Sequence, residues 1–208
     1  MKATKEKILL TALALFAQKG YEAVSVSDIA GELGMTKSSL YKHYENKRAI
    51  FDCILAQMEQ NDAVNADEYS MPEGSVQDEP EKYAEAELEN SIAYAKSMLR
   101  YWTENPFASA FRRMLTLEQY RNEEQSKLYQ QYIGSGPVEY MTDVFASVGI
   151  EDATVKAVEF YAPMFLAYSL YDSAVDKQSV LLLADACIDR CGKKLIKELS
   201  ERGNNIID

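Results

Sequence analysis

The chain has 208 residues, of which 47% are hydrophobic and 26% are charged. This composition is ordinary for a globular protein and excludes a disordered or fibrous chain, and the length suits one or two domains. Only nine glycines and five prolines interrupt the sequence, and long helix-forming stretches lie between them. The sequence therefore predicts an all-α fold, because a sandwich or barrel would need many more turns.

The net charge of −11 is divided unevenly along the chain. Residues 1–50 hold eight Lys and Arg against five Asp and Glu, a net charge of +3, whereas residues 51–208 hold 14 against 28, a net charge of −14. Only the N-terminal part can therefore attract a polyanion, and the acidic remainder would repel one.

The cysteines indicate the compartment of the protein. Cys53, Cys187 and Cys191 lack the spacing of a disulfide framework, which favours a reducing compartment, the cytoplasm. Cys187 and Cys191 share a helical face, but no His lies near them to complete a metal shell, so we expect core packing and no metal or cofactor. The N-terminal lysines and apolar stretch imitate a signal peptide, but polar residues interrupt both. No stretch approaches the ~20 apolar residues of a membrane span, so no membrane partner is expected.

The first quarter of the chain predicts four helices in close succession. The first ends at Gly20, a natural C-cap, and Ser27 and Thr36 are the expected N-caps of the second and third. Asn46 is the expected N-cap of the fourth, which carries apolar residues at helical spacing. The predicted helices are 4–19, 27–34, 37–44 and a fourth that runs from about 47 towards Met58.

The second and third of these helices have the form of a helix-turn-helix motif. Gly34 permits a tight reversal, Met35 can fill the gap between the two helices, and Thr36 caps the helix that follows. Many small helical domains contain a similar turn. The surface of the third helix adds a second indication, since only Leu40 in it is plainly a core residue and the others are mostly short hydroxyls, cations and aromatic residues. Such residues reach phosphates and base edges in a major groove.

Cations in the first turns of two helices also favour an anionic partner. Lys37 opens the third helix, and Lys47 and Arg48 open the fourth. A cation near the positive end of a helix dipole costs a few tenths of a kcal/mol. A docked phosphate would reverse this effect, because it would use the dipole and the side chain together.

The order and spacing of residues 25–51 carry a family resemblance. The runs Ser25-Val26-Ser27-Asp28-Ile29-Ala30 and Leu33-Gly34-Met35-Thr36-Lys37-Ser38-Ser39-Leu40-Tyr41-Lys42-His43-Tyr44, followed by Lys47 and Phe51, resemble the N-terminal signature of the TetR family, the tetracycline-repressor-like regulators. The resemblance covers residues 8–55. It implies an N-terminal helix-turn-helix DNA-binding domain and a helical C-terminal domain that dimerises and usually binds a small molecule.

The resemblance also implies roles for individual residues. Candidates for contacts in the major groove are Lys37, Ser38, Tyr41, Lys42 and His43. Candidates for phosphate contacts are Ser27, Thr36, Tyr44 and Lys47. The family commonly has Phe at the place of Tyr44.

The remainder of the chain predicts a second helical region. We expect a DNA-binding domain at 1–50 and a regulatory and dimerisation domain at 51–208, with helix 47 onward connecting them and a flexible acidic linker at about 66–80. Later helices are expected at 81–104, from Pro106, at 152–176 with a kink at Pro163, and at 179–202. The last two carry apolar seams, which across a two-fold axis would form a four-helix bundle in a homodimer.

Aromatic residues of the C-terminal region suggest a binding cavity. That region holds 11 of the 14 tyrosines. Such residues at helical spacing usually form a core, but they could also line a pocket for an aromatic or cationic compound. The candidate lining residues are Trp102, Phe107, Phe111, Met114, Tyr140, Tyr161, Phe165 and Tyr168.

These patterns predict a homodimeric regulator, a repressor that binds a palindromic double-stranded DNA operator and is released by a small-molecule effector. The alternative is a DNA-binding dimer without such a switch, either an architectural factor or one regulated by a protein partner. The sequence has no spacing typical of paired catalytic carboxylates or of a nucleophile with its base, so it does not favour an enzyme.

Overall fold

The computed structural model describes residues 2–68 and 80–205, and within these ranges it contains helices and turns but no strand. The predicted all-α fold is thus confirmed. Ten helices are present in the described ranges: α1 Lys2–Lys19, α2 Val26–Glu32, α3 Lys37–Tyr41, α4 Lys47–Glu68, α5 Pro80–Glu104, α6 Pro106–Glu118, α7 Glu123–Tyr132, α8 Ser135–Ser147, α9 Ala153–Tyr171 and α10 Lys177–Asn205.

Several boundaries differ from those expected: α3 ends at Tyr41 and not at residue 44, and α9 ends at Tyr171 and not near residue 176. The N-cap of α2 is Ser25 and not Ser27, because Ser25 and Asp28 form a reciprocal capping box in which each side chain accepts from the backbone N–H of the other. α4 continues to Glu68, so the first residues of the expected linker are helical. Residues 69–79, which make up most of that linker, lie outside the described residues.

The helices are distributed over two compact units. The first contains Met1–Glu68 and Glu104–Gln130, and the second contains Tyr69–Thr103 and Gln131–Asp208. Helices α1 to α4 therefore share a unit with α6, which is remote from them in sequence. The expected functional boundary near residue 50 stays a prediction.

The core of the first unit forms around α1. This helix packs against α2, α4 and α6, and α2 packs against α3. The buried side chains follow the helical periodicity that the sequence shows, so each helix turns one apolar face inward. The core residues contributed by α1, α3, α4 and α6 include Ile8, Phe16, Leu40, Phe51, Ile54, Phe111 and Met114.

The second unit packs α9 between α8 and α10. Phe145 of α8 and Phe160 of α9 meet edge to face with ring centroids 5.5 Å apart. The apolar seam predicted on the last helix, centred on Ile188, is buried inside this unit. It is therefore not the surface through which a second chain could pack.

Asp62 on α4 makes the stability of the fold depend on pH. Burial and the neighbouring charge of Glu59 raise its pKa from 3.8 to about 6. Because the pKa of Asp62 is higher in the folded than in the unfolded state, protonation of Asp62 favours the folded state. This contribution to the free energy of unfolding is fully present below about pH 4 and is lost as the pH rises through 6. We expect Asp62→Asn to raise the free energy of unfolding at pH 8 by about 1 kcal/mol, after allowance for solvent screening.

Urea denaturation of both proteins at pH 4 and pH 8 checks this expectation. The gain from Asp62→Asn should be smaller at pH 4 than at pH 8. An equal gain at both values of pH would contradict the assignment.

Candidate DNA-binding surface

A tight turn joins α2 to α3 in the way the sequence predicts. Gly34 adopts φ +62°, which glycine tolerates without steric cost. The N–H of Gly34 donates to the carbonyl of Gly31 at 3.0 Å, and the N–H of Met35 donates to that of Ala30 at 2.9 Å. This pair of bonds is a Schellman motif, which ends α2. Thr36 then caps α3 by accepting from the N–H of Ser39.

The described surface of α3 is polar and open. Leu40 is buried, whereas Thr36, Lys37, Ser38 and Lys42 are exposed and His43 is half-buried. Tyr41 leaves 44% of its surface exposed, and the Lys37 ammonium lies 5.8 Å from the centre of its ring. Five predicted groove residues thus lie together on α3 and the turn directly after it, where cations, hydroxyls and a phenol are all presented to solvent.

Tyr44 lies in the core and not on this surface. It is 4% exposed, and its hydroxyl donates to the carbonyl of Lys5 at 3.2 Å. Burial raises the pKa of Tyr44 to about 12, so its hydroxyl stays protonated. In this structure the side chain that was predicted to contact phosphate fastens the turn after α3 to α1.

The cations at the start of α4 have partners within the protein. Nζ of Lys47 donates to the carbonyl of Tyr21 at 2.8 Å, and Arg48 forms a bidentate pair with Glu124 at 2.6 and 3.0 Å. Arg48 also donates to Asp52 at 2.7 Å. The unfavourable position of these cations near the helix dipole is thus offset without a phosphate, which weakens that part of the reasoning from sequence.

Two details of this surface were not predicted. Ser25, and not Ser27, binds the N-terminus of α2, and hydrogen bonds from Ser25 lower the pKa of Asp28. The spacing of Ser25 and Asp28 is a capping-box pattern that could have revealed this. Ser27 remains exposed on α2. The contact of the N-terminal domain with α6 and α7 had no comparable signal, because its partners lie about 70–100 residues further along the chain.

The residues predicted to line an effector cavity are divided between the two units. Phe107, Phe111 and Met114 lie on α6 in the first unit, where Phe111 and Met114 are fully buried. The second unit holds the remaining five, of which Tyr140 and Phe165 are substantially exposed. Within that unit Tyr161 and Phe165 line a cavity of about 550 Å³ between α8 and α9.

The helix-turn-helix and its exposed second helix define a class, the helix-turn-helix DNA-binding regulators. Residues 8–54 match the family described as bacterial regulatory proteins, tetR family. Residues 8–54 of the chain are thus similar to this family, which confirms the predicted resemblance over that part of the chain.

Curated relatives agree over the same region. The chain is 40% identical over 50 residues to YerO of Bacillus subtilis, an uncharacterized HTH-type transcriptional regulator, which covers 24% of this chain and 17% of that protein. It is 43% identical over 47 residues to IcaR of Staphylococcus epidermidis, the negative transcriptional regulator of the biofilm operon icaADBC. That match covers 23% of this chain and 25% of IcaR. The chain thus spans only about a sixth to a quarter of these relatives.

Solved structures share the fold over nearly the whole chain. The crystal structure of MexZ, a repressor from Pseudomonas aeruginosa, has a TM-score of 0.65 at 15% identity and covers 94% of this chain and 96% of MexZ. A TetR-family transcriptional regulator from Bordetella parapertussis has a TM-score of 0.61 at 20% identity and covers 94% and 95%. The relatives named here are transcriptional regulators, and the match at residues 8–54 supports the predicted helix-turn-helix region.

No helix in the described ranges combines the length and the apolar composition that a membrane span requires. The residues that the structure describes also bring no three His, Cys, Asp or Glu side chains together as a metal site.

Proposed function

We propose that the protein is a cytoplasmic, homodimeric transcriptional repressor that binds a palindromic DNA operator and is released by a small molecule. The exposed face of α3 carries this proposal. Lys37, Ser38, Tyr41 and Lys42 are all exposed on it, and such side chains pair with base edges and phosphates in the major groove. Ser27, Thr36, His43 and Lys47 are proposed to contribute further contacts at the edges of this face.

The proposed dimer forms through α9 and α10. Their solvent side is apolar, with Leu166 and Leu170 on α9 and Leu182 and Leu183 on α10 all substantially exposed. A groove of about 500 Å³ runs between these helices. A contiguous apolar surface of this kind is typical of protein interfaces, and a two-fold axis across it would give a four-helix bundle. The two α3 helices would then read half-sites one helical turn apart or a multiple of it.

The proposed effector site is the cavity between α8 and α9. The rings of Tyr161 and Phe165 lie 6.3 Å apart there, and Val138 and Glu139 of α8 complete part of the lining. Apolar walls with one carboxylate suit an aromatic or cationic compound. A shared fold supports the idea of a ligand: a neighbour with a TM-score of 0.60 and 15% identity was solved as the SmeT–triclosan complex.

The alternative function is a DNA-binding dimer that no small molecule controls. The apolar lining of the pocket between α8 and α9 supports the switch, because small-molecule sites are mostly apolar with a few polar groups. The two functions differ in whether any small molecule that fills the cavity releases bound DNA.

Selection of duplexes from a random-sequence library by the purified protein tests the proposal, and recovery of a palindromic sequence is the expected result. With the recovered duplex, Lys47→Ala should weaken binding to all sequences. It should also reduce the slope of log Kd against log salt by about one, as expected for one lost phosphate contact. Lys127→Ala, an exposed lysine on α7, is the matched control. Recovery of unrelated sequences only would contradict the proposal, and an unchanged slope for Lys47→Ala would contradict the assignment of Lys47.

A further inference from the structure

Two side chains of opposite charge bind the backbone of Tyr21. Its N–H donates to Oε1 of Glu118 at 3.0 Å, and its carbonyl accepts from Nζ of Lys47 at 2.8 Å. Glu118 is the last residue of α6 and Lys47 is the first residue of α4. All three residues lie in the first unit, so one residue after α1 joins α6 to the start of α4.

Glu118 is buried more deeply than a carboxylate normally is. Its side chain is 1% exposed, and its Oε2 makes no hydrogen bond, with Nε of Arg121 4.0 Å away. Burial of a carboxylate is costly unless strong hydrogen bonds compensate it. A hydrogen bond from an amide to an ionised carboxylate is about twice as strong as a neutral one. The Tyr21 amide is thus one hydrogen-bond donor that helps to compensate the burial of Glu118.

The absence of a side chain at Gly20 leaves space for the Glu118 carboxylate. Its φ is +84°, and a Cβ at this position would lie 2.5 Å from Oε1 of Glu118. Glycine therefore ends α1 in a left-handed conformation and also leaves room for the carboxylate. Any other residue at position 20 would push Glu118 away from the Tyr21 amide.

The position of Tyr21 affects the position of α3, the helix proposed to contact the bases. The segment after Tyr21 leads to Ser25, which caps α2, and Lys47, which begins α4, lies with its ammonium 4.2 Å from the centre of the Tyr21 ring. Because α3 is placed in the chain between α2 and α4, residues that fix where both helices begin also fix where α3 lies. The Lys47 ammonium also lies 3.5 Å from the carbonyl of Glu22 and 4.0 Å from its carboxylate, so it holds the segment directly after α1 at more than one point.

We infer that Glu118 is a positioning residue for DNA recognition: through the Tyr21 backbone it holds α2 and α4, and hence α3, in the arrangement that fits a specific site, without touching DNA itself. This inference rests on the proposed function. Sequence-independent binding depends on net charge and tolerates small displacements of α3, whereas base contacts do not. Loss of the Glu118 bond should therefore lower specificity and leave general DNA affinity nearly unchanged.

The experiment compares Glu118→Ala with Glu123→Ala, because both remove one negative charge and Glu123 pairs only with Lys127 on the surface. Affinities are measured by fluorescence anisotropy for the duplex that the wild-type protein recovers from a random library and for a scrambled duplex of equal length. We expect Glu118→Ala to bind the recovered duplex at least about tenfold more weakly, the effect of one charged hydrogen bond. Its affinity for the scrambled duplex, and both affinities of Glu123→Ala, should stay within about twofold of wild type.

Equal weakening for both duplexes, or none for either, would overturn the inference, because a purely structural role would lower the folded fraction and both affinities together. A wild-type protein that recovers no defined sequence would instead overturn the proposed function itself. Circular dichroism reports whether Glu118→Ala folds.

If Glu118→Ala does not fold, the Glu118→Gln variant provides the test of the inference. Its neutral amide oxygen is a weaker acceptor, so we expect about a threefold loss for the recovered duplex alone. Hydrogen exchange of the Tyr21 amide should be slow in the wild-type protein and faster in Glu118→Gln. Unchanged exchange and affinity in this variant would overturn the inference.

Discussion

Replacement of Leu183 by Asp should convert the proposed dimer to a monomer and abolish tight binding to the proposed palindromic site. Leu183 lies on the apolar face of α10 and is 61% exposed in the single chain, so the substitution leaves the core of the second unit intact. In the proposed bundle the carboxylate would be buried without a partner at two symmetric places, a cost of several kcal/mol. Loss of the dimer also removes the second half-site, so affinity should fall by at least about 100-fold.

Sedimentation velocity measures the oligomeric state, and Leu117→Asp is the matched control. Leu117 on α6 is also an exposed leucine, but it lies outside the α9–α10 face, so this variant should remain dimeric. Ile188→Asp would be uninformative because Ile188 is fully buried inside the second unit and its replacement would unfold the protein. A Leu183→Asp variant that sediments as a dimer would reject the proposed interface.

Replacement of Tyr41 by Ala should weaken binding to the selected duplex by about 1–3 kcal/mol and relax the preference at one or two base pairs. Tyr41 is the large side chain on the open face of α3, and it also supports the Lys37 ammonium. Its removal would therefore take away the proposed base contact and the ring beside the Lys37 ammonium. Because the ring is not part of the core, the free energy of unfolding should change little.

Competition assays with duplexes that vary one base pair at a time check this result. Tyr120→Ala is the matched control, because Tyr120 is also an exposed tyrosine, at 90%, and lies beyond the end of α6 and not on α3. A Tyr41→Ala variant that retains both affinity and base preference would show that Tyr41 does not contact the bases.

Local features were predictable because they depend on neighbours in sequence. The turn at Gly34, the Thr36 cap and the proline at the start of α6 follow from backbone preferences of single residues. The N-cap of α2 was wrong by two residues, since two serines compete and only Ser25 has an acidic partner three positions later. The three-residue spacing of Ser25 and Asp28 therefore indicates the correct N-cap.

Contacts between distant segments were not predictable. Nothing local indicates that Arg48 pairs with Glu124 or that Lys47 binds the Tyr21 carbonyl. Tyr44 has the polar tip of a surface residue, yet its ring is buried and its hydroxyl is satisfied by Lys5. The amphipathic pattern of α10 identified an apolar seam correctly, but periodicity alone cannot tell whether such a seam faces its own chain or a second one.

The membership of α6 in the first unit has a practical consequence for engineering. A chimaeric regulator would join the DNA-binding domain of one protein to the regulatory domain of another. In this chain a cut after α4 would strip α6 from α1, uncover the apolar face of α1 and remove the carboxylate that holds Tyr21. A DNA-binding unit that is to be transferred to another protein must therefore include two separate segments, Met1–Glu68 and Glu104–Gln130. The recipient protein must supply the chain that connects these two segments.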